Sequence, residues 1–203
     1  MLELKDRVNK ATKMRLRIAI LFIFAGLLAL ALASAQAPSS PSSFQKEFLV
    51  SFQDAETKVM TLAKAVPADK FSWRPGAGVR SAGEVYVHIA NGNRLLLTLM
   101  RGMPARDEFL KMVRDNELRE KNITEKSKVI SDLEASFKEV HSALDNATDE
   151  ALSRPIKFFG EDTTPRAVYI TINSHVSEHL GQSIAYARMN GIVPPWSRQN
   201  TSQ

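Results

Sequence analysis

Apolar residues recur every three or four positions along four long stretches of the chain, and this spacing predicts four amphipathic helices. The first helix is predicted from about residue 43 to residue 65, and Pro67 ends it. The second begins at Ser81, because residues 81–84 (Ser-Ala-Gly-Glu) match a capping box, in which side chains satisfy free backbone N–H groups. Gly102 ends the second helix.

The other two helices lie in the second half of the chain. The third begins between residues 124 and 127, and its apolar positions alternate in threes and fours up to Ala147. The fourth begins with Thr164 as N-cap and Pro165 at the first helical position, where a missing N–H costs nothing. Gly191 supplies the left-handed cap that ends it.

Between these helices the pattern is weaker. The stretch 105–126 is charged and less periodic, so we expect only a short helix over 107–114. Residues 158–160 (Phe-Phe-Gly) indicate a loop or a brief extended stretch, and no segment has the alternation that is typical of a sheet. The predicted class is therefore all-α, with four main helices in a bundle.

The N-terminal 35 residues have the order of features that is typical of a secretory signal peptide. A polar, basic region up to Arg17 precedes an apolar run over 18–32, and small residues follow. This run is about 15 residues long, short of the roughly 20 that span a bilayer as a helix. We expect cleavage after Ala35 and a secreted or periplasmic protein. An uncleaved membrane anchor is the alternative, and Met14 is an alternative start of the chain.

After the predicted signal peptide, residues 36–43 form a Pro/Ser linker with too few apolar residues to build a core. We place a single domain over 44–197 and a tail over 198–203. Six basic and two acidic residues lie in 1–35, so the net charge falls from +5 for the whole chain to +1 without them. A nearly neutral domain gives no electrostatic reason to expect nucleic-acid binding. We also expect no stable membrane span after cleavage.

Three of the four histidines are placed to meet inside such a bundle. His175 and His179 are four positions apart on the fourth helix, so both rings project from one face. His88 lies on the apolar stripe of the second helix. If these two helices face each other, three neutral imidazoles converge; they suit Zn²⁺, Ni²⁺, Co²⁺ or Fe²⁺ and leave a coordination position open. The alternative is a surface histidine pair and a separate core histidine. His141, beside the stripe of the third helix, is interpreted as a flanking structural group.

Two kinds of metal or catalytic chemistry are disfavoured by the residues present. The chain has no cysteine, which excludes thiolate ligands and a thiolate nucleophile. His175 and His179 have the spacing of the H-E-x-x-H zinc peptidases, but Val176 occupies the place of the catalytic glutamate. Glu178 is about 100° round the helix from His179, off the metal face. A zincin-type peptidase is therefore not expected.

Several short segments carry a family resemblance when they are taken in order. They are Phe-Ser-Trp-Arg-Pro at 71–75, Ser-Ala-Gly-Glu at 81–84, Val-His-Ile-Ala at 87–90, the stretch 166–175, His-Leu-Gly-Gln at 179–182 and Gly-Ile-Val-Pro-Pro at 191–195. Together they resemble the DinB family (DinB/YfiT-like metalloenzymes) over about 44–197. The resemblance implies a four-helix bundle in up-up-down-down order. It also implies a metal triad of His88, His175 and His179.

The resemblance and the triad lead us to expect an exported metal-dependent hydrolase with one divalent ion, Zn²⁺ before Ni²⁺ or Fe²⁺, and an unknown small-molecule substrate. Gln182 and Asn91 are candidate pocket residues; Gln182 either orients a metal ligand or makes a polar interhelical contact. Leu180 stands where relatives often have a basic residue. The alternatives are a non-catalytic binding or stress-response module and an enzyme like the thiol-S-transferases of the family. The resemblance also allows for a homodimer.

Overall fold

The computed structural model describes residues 42–200. The predicted signal peptide, most of the predicted linker and residues 201–203 of the predicted tail lie outside the described residues, so cleavage, export and the linker stay predictions. Among the helices of residues 42–200, none is both long enough and apolar enough to cross a membrane.

The described chain is mostly helical, as the apolar spacing predicts. In chain order the elements are α1 (Ser43–Ala65), a 3-10 turn (Ala68–Lys70), α2 (Ala82–Arg101), α3 (Arg106–Asn122), α4 (Lys126–Asp145), α5 (Asp149–Ser153), β1 (Ile156–Phe158), β2 (Glu161–Thr163), α6 (Pro165–Met189) and a 3-10 helix (Pro195–Asn200). The four longest helices are the four that the sequence predicts, and α1 has the predicted bounds.

The predicted helix ends are set by local chemistry. At the start of α2, the Ser81 hydroxyl accepts from the Glu84 backbone N–H at 3.2 Å, and the Glu84 carboxylate accepts from the Ser81 N–H at 2.7 Å. The capping box is therefore confirmed, and it accounts for Glu84 without a catalytic role. At the end of α6, Gly191 has φ +71°, the left-handed conformation that glycine adopts without a steric penalty.

In the stretch 105–126 the observed helix is longer than the predicted one. Instead of a helix over 107–114, α3 runs through 17 residues to Asn122. Of its residues only Glu120 is buried, so α3 lacks the apolar stripe by which a helix is recognised. Its inner face is held to α2 by polar contacts instead, and these depend on the tertiary structure.

A small hairpin precedes α6. Strands β1 and β2 pair antiparallel, with Ile156 opposite Thr163 and Phe158 opposite Glu161. Phe159 and Gly160 form the two-residue turn, both with positive φ, which is the geometry of the turns that join twisted strands. Residues 158–160, expected as a loop or a brief extended stretch, are the end of β1 and the turn. The two-stranded sheet itself was not predicted, and within residues 42–200 it is the one addition to an all-α fold.

The four long helices enclose the core. Helix α1 packs against α4 and α6, and α2 packs against the same two helices from the other side. The largest fully buried side chains come from all four: Phe52, Leu62, Tyr86, Ile89, Leu99, Leu133, Phe137, Leu144, Tyr169 and Ile172. Burial of each such side chain stabilises the fold by about 1.5–3 kcal/mol. The contact of α2 with α6 brings the second and the last long helix together, as the histidine hypothesis requires.

Candidate metal centre

Three histidine rings lie together where α2 packs against α6. His88 comes from α2, and His175 and His179 come from α6. The ring centroids of His88 and His175 are 5.1 Å apart, those of His88 and His179 4.6 Å, and those of His175 and His179 4.5 Å. One potential ligand atom from each residue lies within 4.8 Å of the other two. The structure thus unites the three histidines that the sequence singles out.

Hydrogen bonds at Nδ1 fix the orientation of two of these rings. Glu120 Oε1 lies 2.7 Å from His88 Nδ1, and since an ionised carboxylate can only accept, His88 Nδ1–H donates. His179 Nδ1–H donates to Gln182 Oε1 at 2.8 Å. The amide of Gln182 is oriented in turn, because its Nε2 donates to the Tyr186 hydroxyl at 2.9 Å. In the neutral form of each ring, this hydrogen bond leaves the lone pair on Nε2, and that is the form that binds a metal.

Glu120, on α3, holds His88, and the sequence reasoning missed it. Arg80 donates to the same carboxylate through Nε at 2.6 Å. Burial alone would raise the pKa of Glu120, but hydrogen bonds and charge from His88 and Arg80 outweigh burial and lower that pKa. In the sequence Glu120 is one more charge in a charged stretch, 32 positions from His88. No local pattern could have identified it.

His175 and His179 are neutral at pH 7 for identifiable reasons. Burial above all, and then the neighbouring His179 and His88, lower the pKa of His175 to about 3. Burial also lowers the pKa of His179, although its hydrogen bond with Gln182 offsets part of the effect. Neutral imidazoles can bind a metal without first losing a proton.

Gly92, on α2, provides the space that His175 occupies. A β-carbon at position 92 would lie 2.2 Å from His175 Cε1 and 2.7 Å from its Nδ1. Glycine inside a helix costs about 1 kcal/mol relative to alanine, and the closeness of the ring is the reason for it here. The sequence reasoning missed Gly92, because an isolated glycine in a helical pattern does not reveal which side chain approaches it.

A comparison with known protein families identifies the family of this chain. A family model described as the DinB superfamily matches residues 51–183, a segment that contains His88, His175 and His179. The chain belongs to the DinB superfamily. The resemblance that the short motifs indicate is therefore confirmed. Among curated proteins, none matches the chain.

Solved structures of DinB proteins are similar to this one. A DinB-like protein from Bacillus cereus is 17% identical, with a TM-score of 0.57, and the match covers 74% of this chain and 95% of that one. A DinB-like protein from Bacillus subtilis is 21% identical, with a TM-score of 0.56, over 72% and 93% of the two chains. A DinB family protein from Exiguobacterium sibiricum is 17% identical, with a TM-score of 0.59, over 75% and 95%. At these identities the likeness shows the fold alone.

The two candidate pocket residues of this DinB protein have different positions. Gln182 contacts the His179 ring directly, as described above. Asn91 instead joins two helices: its Oδ1 accepts from Arg119 Nε at 2.9 Å, and its Nδ2 donates to the Asn116 carbonyl at 3.1 Å. Asn91 also lines a cavity beside the histidines, so its side chain belongs to the wall and to the contact between α2 and α3.

His141 lies away from the three clustered histidines. Its Nε2 is 2.6 Å from the Glu56 carboxylate, and its ring packs edge-on against Phe52. The interpretation of His141 as a flanking structural group agrees with these contacts between α1 and α4.

The donor set of this DinB site fits a divalent transition metal. Three imidazoles suit such ions, and no thiolate is available to favour a closed structural site. His175 Nδ1 is buried and has no hydrogen-bond partner among residues 42–200, while its Nε2 lies 3.3 Å from His88 Nε2. A buried ring nitrogen without a partner is an unmet polar group that a ligand can satisfy. A cavity of about 240 Å³ reaches His88 and His175, so the cluster is accessible to small molecules.

Proposed function

We propose that His88, His175 and His179 bind one divalent metal ion and that the protein is a metal-dependent hydrolase. The observation that carries the proposal is the convergence of three imidazoles, two of them held by acceptors at Nδ1. Three such ligands suit Zn²⁺ first, with Ni²⁺ or Fe²⁺ as alternatives, and leave a coordination position open. A bound ion supplies a Lewis acid and a water whose pKa is lowered towards about 7.

The protein's own groups prepare this site in distinct ways. Glu120 fixes the orientation of the His88 ring and adds negative charge behind it, which makes the ring a stronger ligand. Gln182 fixes His179 with a neutral amide. Arg80 neutralises part of the Glu120 charge, so that a buried carboxylate is paired rather than isolated. The cavity lined by His88 gives a substrate access to the open side of the cluster.

Metal content and turnover test the proposal together. The protein is purified without a histidine tag, its bound metal is analysed, and Zn²⁺ affinity is measured by calorimetry after chelation. The zinc-loaded protein is then assayed against a panel of small esters, amides and lactones. We expect one ion per chain and turnover of at least one class.

Single variants separate the site from the fold. We expect His175→Ala to lose the ion and the activity while it keeps its helical circular dichroism. His141→Ala is the matched control, because it removes a histidine that contacts Glu56, and it keeps both. Metal-free native protein would refute the metal site. A zinc-loaded protein that turns over nothing in the panel would leave the binding module as the better description.

The localisation, helix order and assembly of the protein are further predictions. We propose that it is exported after cleavage of the signal peptide at Ala35, and that its helices run in the up-up-down-down order of the family. A homodimer is the proposed assembly. Mass spectrometry of the mature N-terminus tests the cleavage, and light scattering tests the assembly. A mature chain that still contains residues 18–32 would favour the membrane anchor instead.

A further inference from the structure

The cavity beside the histidines has an apolar side. It lies between α2 and α3, and its apolar wall consists of Leu95, Leu96 and Val113. His88 and His175 line the same cavity, so a molecule inside it reaches the proposed metal site and the apolar wall at once. Its volume of about 240 Å³ lies below the roughly 300–1,000 Å³ of clefts that take drug-sized ligands. The space fits a small molecule with a short apolar end.

The charge at the opening of the cavity further limits which ligands can bind. Glu117 lines both this cavity and a wider surface cleft of about 700 Å³, so it stands where the two spaces meet. Within the described residues, its carboxylate has no hydrogen bond or ion pair. Arg80 also lines both spaces, but its Nε and Nη2 point to the Glu120 carboxylate. Within the described residues Lys121 also lacks an ion pair, but it lines the cleft and not the cavity. The unpaired charge that lines the cavity itself is therefore negative, and it disfavours anionic ligands there.

We propose that this cavity binds small neutral acyl compounds, with a short alkyl chain against Leu95, Leu96 and Val113 and the carbonyl towards the histidines. This inference names the substrate class of the proposed hydrolase and in that respect rests on it. Apolar contact provides the affinity for the alkyl chain. The Glu117 carboxylate disfavours ligands that carry a carboxylate of their own.

Methyl NMR tests the cavity without any turnover. Butanamide, isocaproamide and succinamate are titrated into the protein, both metal-free and zinc-loaded. Isocaproamide and succinamate have the same branched shape, but only succinamate carries a charge. We expect butanamide and isocaproamide to shift the methyl signals of Leu95, Leu96 and Val113 in both forms. We expect succinamate to leave these signals in place.

Matched variants locate the binding. Val113→Phe fills the cavity and is expected to weaken butanamide binding at least fivefold. Leu118→Phe makes the same kind of enlargement on an exposed part of α3 and is expected to change nothing. Glu117→Gln removes the charge and is expected to let succinamate shift the same methyl signals as isocaproamide.

The outcomes distinguish this inference from the proposed function. Binding of butanamide with the expected variant effects, but without hydrolysis of any ester or amide, supports the cavity and counts against the hydrolase. Hydrolysis that is independent of chain length, with no methyl shifts in the cavity, overturns the inference and leaves the hydrolase standing. Equal binding of isocaproamide and succinamate, or no effect of Val113→Phe, also overturns it.

Discussion

The ring of His175 occupies the place where any residue other than glycine at position 92 would put its β-carbon. That β-carbon would lie 2.2 Å from His175 Cε1, well inside van der Waals contact. At this position α2 and α6 meet through a glycine on one helix and a histidine ring on the other. The same approach brings His175 Nε2 within 3.3 Å of His88 Nε2.

Gly92→Ala is expected to displace the His175 ring and to weaken metal binding by about tenfold to a hundredfold. This is the usual effect of losing a group that orients a metal-ligating side chain. The control is Gly181→Ala, also inside a helix, where a β-carbon meets nothing within 4 Å. That change is expected to stabilise the fold by about 0.5–1 kcal/mol, because alanine favours helix. Calorimetry with Zn²⁺ and urea unfolding measure the two effects. Equal zinc affinity of both variants would contradict the packing argument.

Glu120→Gln is expected to weaken Zn²⁺ binding by about tenfold to a hundredfold, because the charge that supports the His88 ring is lost. Glu139→Gln serves as the control, since Glu139, on α4, forms an exposed ion pair with Arg94 of α2. Zinc titration in competition with a chelator gives both affinities. If Glu120→Gln binds zinc as the native protein does, Glu120 does not position His88 for a metal.

Asn91→Ala is expected to destabilise the fold by about 1–2 kcal/mol, because Arg119 loses an acceptor and the Asn116 carbonyl loses a donor. Zinc affinity is expected to stay within about twofold of native, since no hydrogen bond of Asn91 reaches the histidines. Urea unfolding and calorimetry separate these effects. A large loss of zinc affinity with unchanged stability would instead make Asn91 part of the site itself.

Tyr169→Phe is expected to be neutral or to stabilise the protein by up to about 1 kcal/mol at neutral pH. The Tyr169 hydroxyl is buried and lacks a hydrogen-bond partner within residues 42–200, so phenylalanine removes an unmet polar group. Its ring contacts with Phe44 and Phe48 do not need the hydroxyl. Urea midpoints of both proteins measure the difference. A loss of more than about 1 kcal/mol would show that the hydroxyl has a bonding partner.

Tyr169→Phe is also expected to change how the stability of the fold depends on pH in alkaline solution. Burial raises the pKa of Tyr169 to about 12. Between about pH 10 and pH 12 the unfolded chain therefore loses this proton before the folded protein does, so stability falls as the pH rises through that window. Tyr169→Phe lacks this contribution, and its advantage over the native protein should grow from neutral pH to about pH 11. A constant difference would contradict the raised pKa.

Much of the fold follows from local signals in the sequence. The apolar spacing over residues 43–65 and the capping box at Ser81 are decided within a few residues, and the structure agrees with both. Helix α3 is the counter-example, because its inner face makes polar contacts with residues far away in the chain. A helix that buries little except Glu120 gives no apolar period to recognise.

The sequence by itself determined the four longest helices, the family and the three histidines, because helix periodicity and short motifs depend on neighbouring positions. Only the tertiary structure decided that the rings of His88, His175 and His179 meet, since that depends on how α2 packs against α6. It also revealed Glu120, Arg80 and Gly92. Each acts across a distance of many residues, through a hydrogen bond, an ion pair or a close approach that has no local pattern.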